Sequence, residues 1–151
     1  MTVLAIDPGP KESAFLLWDG SIVSKGFEEN SDLLDALRHR FSADCLWAVE
    51  MIACYGMPVG REVFETCLVI GRILEIAERR GARCELVLRK DVKLHLCMSP
   101  RAKDANVRQA LIDRIGAPGT KKNPGPTYGC AKHDWAALAI AVFAADRDGE
   151  K

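Results

Sequence analysis

The sequence predicts an α/β fold: a mixed sheet, antiparallel in its opening strands and parallel beyond them, flanked by helices. Three observations carry that prediction. Two strand-like runs, residues 13–18 and 21–27, are joined by Asp19-Gly20, a dipeptide that strongly marks a hairpin between such runs. Beyond them, strand-like and helical patterns alternate, which implies parallel pairing through crossover helices. The first and fourth apolar runs, residues 3–6 and 45–49, are short and continuous, as in strands buried on both faces.

Taken in order, residues 3–6 form a buried strand closed by Asp7-Pro8-Gly9-Pro10, a dense turn signal. The hairpin follows. Ser31 is placed to N-cap a short helix through Phe41, with Leu33, Leu34 and Leu37 on one face. Residues 45–49 make the next strand, which ends in Glu50, and Gly56, Pro58 and Gly60 mark residues 51–60 as a loop. From 61 to 80 the apolar positions Phe64, Cys67, Leu68, Gly71, Leu74 and Ala77 recur at helical spacing. Arg79 and Arg80 suit the negative end of that helix, and Gly81 stops it. Residues 84–88 read as a strand. Asp104 is placed to cap a helix reaching Ile115, with Val107, Leu111 and Ile115 inward and Gly116 after it. A Pro/Gly loop (117–129) leads to an alanine-rich buried helix over 135–145. Trp18, Trp47 and Trp135 are expected in the core. No repeat, low-complexity tract or internal boundary interrupts the chain, so residues 1–151 are read as one domain.

Composition narrows the function classes. At 48% hydrophobic and 28% charged residues the chain is ordinary globular material. It lacks the run of about 18 apolar residues that a membrane span requires. The first residues lack the basic and apolar regions of a secretory signal. The six cysteines form no Cys-x-x-Cys pair, which argues against zinc-ribbon and thioredoxin chemistry and for reduced thiols in a cytoplasmic protein. The net charge of zero hides an asymmetry: residues 1–78 hold 6 basic and 13 acidic side chains, whereas residues 79–132 hold 13 and 4. Such a basic segment is the footprint of a polyanion binder, or of solvated helix faces.

Three acids stand out. Asp7 and Glu50 each end an apolar strand, and parallel strands deliver their C-terminal ends to one edge of the sheet. Asp134 sits beside His133 at the start of the last helix. Two or three carboxylates suit a hard divalent cation such as Mg²⁺, and metal-assisted phosphodiester hydrolysis uses such sites. Each acid alone would equally serve as a loop or cap residue.

Asp7-Pro8-Gly9 after a short strand, Ala48-Val49-Glu50 after a later one, and an acid-bearing helix with Ala137-Leu138-Ala139-Ile140-Ala141 resemble the RuvC-type Holliday-junction resolvases of the ribonuclease H-like superfamily. The likeness covers nearly the whole chain, including residues 61–80, Arg89-Lys90-Asp91-Val92-Lys93 and residues 103–116. The compact single domain resembles phage or prophage members. The resemblance implies a ribonuclease H-like fold and a Mg²⁺- or Mn²⁺-dependent endonuclease acting in the cytoplasm of a bacterium or of a phage's host. Its substrate would be branched DNA, most of all four-way junctions, cut to leave a 5′-phosphate and a 3′-hydroxyl. A homodimer is implied, because symmetric cutting needs two sites, and no nucleotide cofactor or membrane is involved. A sugar-kinase-like nucleotide binder would need glycine-rich phosphate loops and a second lobe.

Carried over by position, Asp7 and Glu50 match the first two metal-binding acids. The family's late ligands lie three residues apart, as Asp-x-x-Asp or His-x-x-Asp, and this chain departs from that. With Asp134 as the final acid, Ala131 stands at the earlier position; with His133 as the earlier ligand, Ala136 stands at the later one. Both remain candidates, Asp134 ahead of His133 as a metal ligand and His133 also as a general base. The absent ligand leaves open a catalytically inactive junction-binding protein, beside a nuclease for flaps, forks or RNA-containing structures. Phosphate contacts are expected from Arg89, Lys90, Lys93, Arg101 and Lys103, and from Lys121 and Lys122 in the Pro/Gly loop, read as mobile. Tyr55, in the loop after Glu50, is the candidate aromatic wedge.

Overall fold

The computed structural model describes residues 1–150. Five strands form one sheet: β1 (Val3–Asp7), β2 (Glu12–Trp18), β3 (Ile22–Glu29), β4 (Leu46–Met51) and β5 (Cys84–Leu88). Their spatial order is β3-β2-β1-β4-β5. The β1–β2 and β2–β3 pairs are antiparallel, and β1–β4 and β4–β5 are parallel. The mixed sheet with antiparallel opening strands is therefore present as the sequence predicts.

Alternation along the strands assigns side chains to two cores. Val3, Ala5, Ala14, Leu16, Leu46 and Ala48 face α5 (Lys132–Gly149). Leu4, Ile6, Phe15, Trp47 and Val49 face α1 (Asn30–His39) and α2 (Arg61–Arg80). The alanines Ala5, Ala14 and Ala48 lie in one cluster with Ala137, Ala141 and Ala144 of α5. Small side chains on both partners let the helix axis approach the sheet closely, so α5 can be buried along most of its length. Gly81 ends α2 in the left-handed conformation, with φ 66°, which a residue without Cβ adopts at no steric cost.

Several boundaries differ from the sequence reading, each for a local reason. α1 starts at Asn30, not after a Ser31 cap. The Asn30 side chain instead donates to the Gly9 carbonyl, 2.9 Å away. The basic stretch after β5 is itself helical, forming α3 (Arg89–Cys97). α4 (Asp104–Ile115) has Lys103 as its cap, so Asp104 is its first helical residue. α5 begins three residues before Trp135 and so includes His133 and Asp134. The Pro/Gly loop, read as mobile, folds on itself: Gly119 bridges Pro124, and Gly125 N–H donates to the Pro118 carbonyl at 2.8 Å. Trp18, Trp47 and Trp135 are buried, and the six cysteines are free. Among the described residues no helix is long and apolar enough to cross a membrane.

One ionic network fixes α3 and α4 against α5. Asp146 accepts from Arg114 Nη1 at 2.6 Å and Nη2 at 2.5 Å, and lies 2.6 Å from His95 Nε2. Burial would raise the Asp146 carboxyl, but hydrogen bonds from Arg114 and His95 outweigh it and hold it below the ordinary 3.8. Its contribution is therefore complete above pH 3.8 and is lost as pH falls through the lower folded value. Because solvent screens the exposed Arg114 pair, Asp146→Asn should lower unfolding free energy in urea by only about 1 kcal/mol at pH 7, with the difference from the unaltered chain shrinking at the acid end.

Candidate functional site

Asp7 and Glu50 are brought together by strand register. In the parallel β1–β4 pair Ile6 is opposite Val49, so the next residues, Asp7 and Glu50, stand side by side at the sheet's C-terminal edge. Alternation sends both toward the α5 face, the side taken by Ala5 and Ala48. There they line a cleft of about 150 Å³ with Arg89 and Lys93 of α3, Asp104 of α4, and Lys132 and His133 of α5. Its floor is apolar, formed by Val92, Val107, Trp135, Ala139 and Ile140.

The turn after Asp7 is held rigidly. Gly9 N–H donates to Ser13 Oγ at 3.1 Å, Ser13 Oγ–H donates to Asn30 Oδ1 at 2.6 Å, and Asn30 Nδ2 returns to the Gly9 carbonyl at 2.9 Å. A Cβ at Gly9 would meet the Glu12 carbonyl oxygen at 2.3 Å, so only glycine fits there. Ser13 and Asn30 are both buried. These positioning groups were not singled out from sequence, where Ser13 reads only as the first residue of a strand-like run.

Two acids at the edge of an apolar cleft create an electrostatic demand. Burial raises the Asp7 carboxyl above its ordinary value, while the charges of Arg89 and His133 pull the other way. Glu50 is pushed from 4.5 up to about 7, first by burial and then by the charge of Asp7. Arg89 meets part of that demand: its Nε lies 3.4 Å from Glu50 Oε1, and its Nη1 lies 3.7 Å from Asp104 Oδ1. Lys93 Nζ is also 3.7 Å from Asp104 Oδ1.

The two late candidates part company. His133 lines the cleft and stacks on Phe27 of β3, with ring centroids 4.1 Å apart and planes 3° from parallel. Asp134, placed ahead of it by the sequence reading, does not line the cleft. Its Oδ2 accepts from Lys25 Nζ of β3 at 2.8 Å and from Ala131 N–H at 2.8 Å. Neighbours on a helix point about 100° apart: His133 is exposed and faces the cleft, whereas Asp134 is buried against β3. Among the described residues no cluster of three or more His, Cys, Asp or Glu side chains is arranged to hold a metal ion. The Asp7–Glu50 pair nevertheless fits one Mg²⁺, which is commonly held by one or two carboxylates and completes its shell with water and phosphate oxygens.

The expected DNA contacts divide by position. Arg89 and Lys93 lie in the cleft. Lys90 lies outside it, with its Nζ 6.0 Å from the centre of the Tyr55 ring. Tyr55 is 62% exposed, at a left-handed φ of 50°. Arg101 and Lys103 are exposed between α3 and α4. Lys121 and Lys122 are exposed on the turn closed by Thr120 and Asn123. Sequence reasoning did not place Lys132 or Asp104 in the site. Lys132 carried no motif, and Asp104 looked like an ordinary helix cap.

No protein-family model matches the sequence, and no curated protein matches it by sequence. Solved structures do match. Thermus thermophilus RuvC superposes with a TM-score of 0.69 over 99% of this chain and 97% of that one, at 20% identity. A second structure, T. thermophilus RuvC in complex with Holliday junction substrate, gives 0.70 over 99% and 96% at 17% identity. The chain has the RuvC fold. The mixed sheet flanked by helices that the sequence predicts thus superposes over 99% of the chain.

The buried acid pair has a measurable consequence. Because the folded state holds the Glu50 proton more tightly than the unfolded chain, stability falls as pH rises from 4.5 through about 7, and the penalty is complete above that. In EDTA at pH 8, Glu50→Gln should therefore raise stability by about 2–3 kcal/mol, read as a higher Tm. Added Mg²⁺ should raise the Tm of the unaltered chain, and the same variant should abolish that rise.

Proposed function

We propose that this protein is a divalent-metal-dependent endonuclease that cuts branched DNA, with the four-way junction as its preferred substrate. The observation that carries the reading is the Asp7–Glu50 pair, side by side at the edge of a cleft that Arg89, Lys93 and Lys132 also line. The RuvC fold supports it, since a protein of that fold has been solved with a Holliday junction.

Asp7 and Glu50 would hold Mg²⁺ or Mn²⁺, with His133 at the rim as a third donor or as the base that takes a proton from the attacking water. A divalent ion held there would neutralise charge developing on the phosphate and acidify that water. Arg89 and Lys93 would bind the phosphodiester on either side of the cut. Asp104 offers Arg89 and Lys93 a partner when no phosphate is present. Lys90, Arg101, Lys103, Lys121 and Lys122 extend the phosphate-binding surface beyond the cleft. Tyr55, exposed and left-handed, is the aromatic that meets unpaired bases at the branch point.

Paired cuts across a junction need two active sites. Phe64 and Leu68 lie one turn apart on the outer face of α2, 63% and 71% exposed. Packing of α2 against a second copy would cover these two apolar residues, which supports a homodimer.

The placement of Asp134 favours one other reading, a junction-binding protein without cleavage, because its carboxylate is engaged by Lys25. Labelled four-way junction, flap and linear duplex, incubated with Mg²⁺, Mn²⁺ or EDTA, separate the two. The proposal expects paired symmetric nicks on the junction, absent in EDTA and reduced at least about 100-fold in Asp7→Asn and Glu50→Gln. Tight junction binding without nicks in either metal would establish the inactive reading, and preferential flap cutting would replace the substrate.

A further inference from the structure

We infer that the edge strand β3 sets the catalytic geometry of α5, with Phe27 as the positioning residue that holds the His133 imidazole toward the cleft. The inference rests on the nuclease reading above for what His133 does, and on geometry for how it is held.

Lys25 and Phe27 are two apart on β3, paired with Leu16 and Ala14 of β2. Both therefore project to the face on which α5 packs. They meet consecutive residues of the helix's first turn. Phe27 stacks flat on His133, at 4.1 Å and 3°. Lys25 pairs with Asp134 at 2.8 Å and also donates to the Gly129 carbonyl at 2.9 Å. Asp134 in turn accepts the Ala131 N–H at 2.8 Å. One strand thus fixes the loop before α5, the rotation of its first turn and the plane of the exposed His133 ring.

Phe27 is hard to explain as core. It is 44% exposed and stands outside both apolar clusters of the protein. Its contact with His133 lies where the main cleft meets a neighbouring groove, and both are lined by Asp7 and His133. An imidazole at a helix start has free rotation about its side-chain bonds. A parallel aromatic face removes much of that freedom, so the ring is oriented before substrate arrives. The Lys25–Asp134 pair does the complementary task, turning the adjacent carboxylate away from the site.

The test compares Phe27→Leu and Phe27→Tyr with the unaltered chain by NMR of the His133 ring protons and by nicking of a four-way junction. Stacking shifts those protons upfield, and Mn²⁺ added alone should broaden them through proximity to the acid pair. In Phe27→Leu the upfield shift and much of the broadening should disappear, with unchanged Tm, and nicking should fall about 10- to 100-fold. Phe27→Tyr, which keeps the aromatic face, should retain all three. Unchanged His133 shifts in Phe27→Leu, or lost shifts with full nicking, would overturn the inference. A chain that nicks no substrate sinks the nuclease reading separately, and the shift and Mn²⁺ readouts then decide whether Phe27 positions the ring.

Discussion

The parallel pairing of β1 with β4 places Asp7 beside Glu50, and much of the site answers to that juxtaposition. Two carboxylates at the edge of an apolar cleft repel one another and have lost part of their hydration. A fold tolerates such a pair when cations are supplied nearby. The guanidinium of Arg89 does so within the chain, and Lys93 and Lys132 add charge around the same opening. The excess of negative charge in the first half of the sequence and of positive charge in the second is thereby expressed in space. The acids come from the early strands, and the cations from the helices that pack over them.

Rigid support explains how the pair survives. On one side, Ser13 and Asn30 lock the turn after Asp7 through buried hydrogen bonds, and Gly9 admits the close approach of the Glu12 carbonyl. On the other, the Asp146 network ties α3 and α4 to α5, so the basic wall cannot drift from the acids. β3 completes the frame by gripping the first turn of α5. A helix otherwise anchored along its apolar face, by small residues packed on the sheet, thus receives its rotational setting at the end that matters for chemistry.

Much of this was legible in the sequence, and the exceptions share a cause. Asp7 and Glu50 could be read because each follows a short apolar strand, and strand periodicity and parallel topology are local signals. The hairpin at Asp19-Gly20 and the stop at Gly81 carried their own turn chemistry. By contrast, His133 and Asp134 are adjacent, and nothing local says which faces the cleft. That choice is made by Lys25 and Phe27, more than a hundred positions away. Asp104 looked like a cap because helix starts attract aspartate for reasons unrelated to catalysis. Ser13 and Asn30 were invisible for the same reason as Lys25: a buried polar partner is defined by what faces it across the fold.

The central claim is that Asp7 and Glu50 form one coupled, partly desolvated pair suited to a divalent cation. Its most direct test is a titration of the Glu50 carboxyl carbon by NMR in EDTA and in Mg²⁺. The account expects a midpoint of about 7 in EDTA, lowered by Asp7→Asn and lowered further still when Mg²⁺ is added to the unaltered chain. A midpoint near the ordinary 4.5, indifferent to both Asp7→Asn and Mg²⁺, would show that the two acids do not act together and would contradict the account at its base.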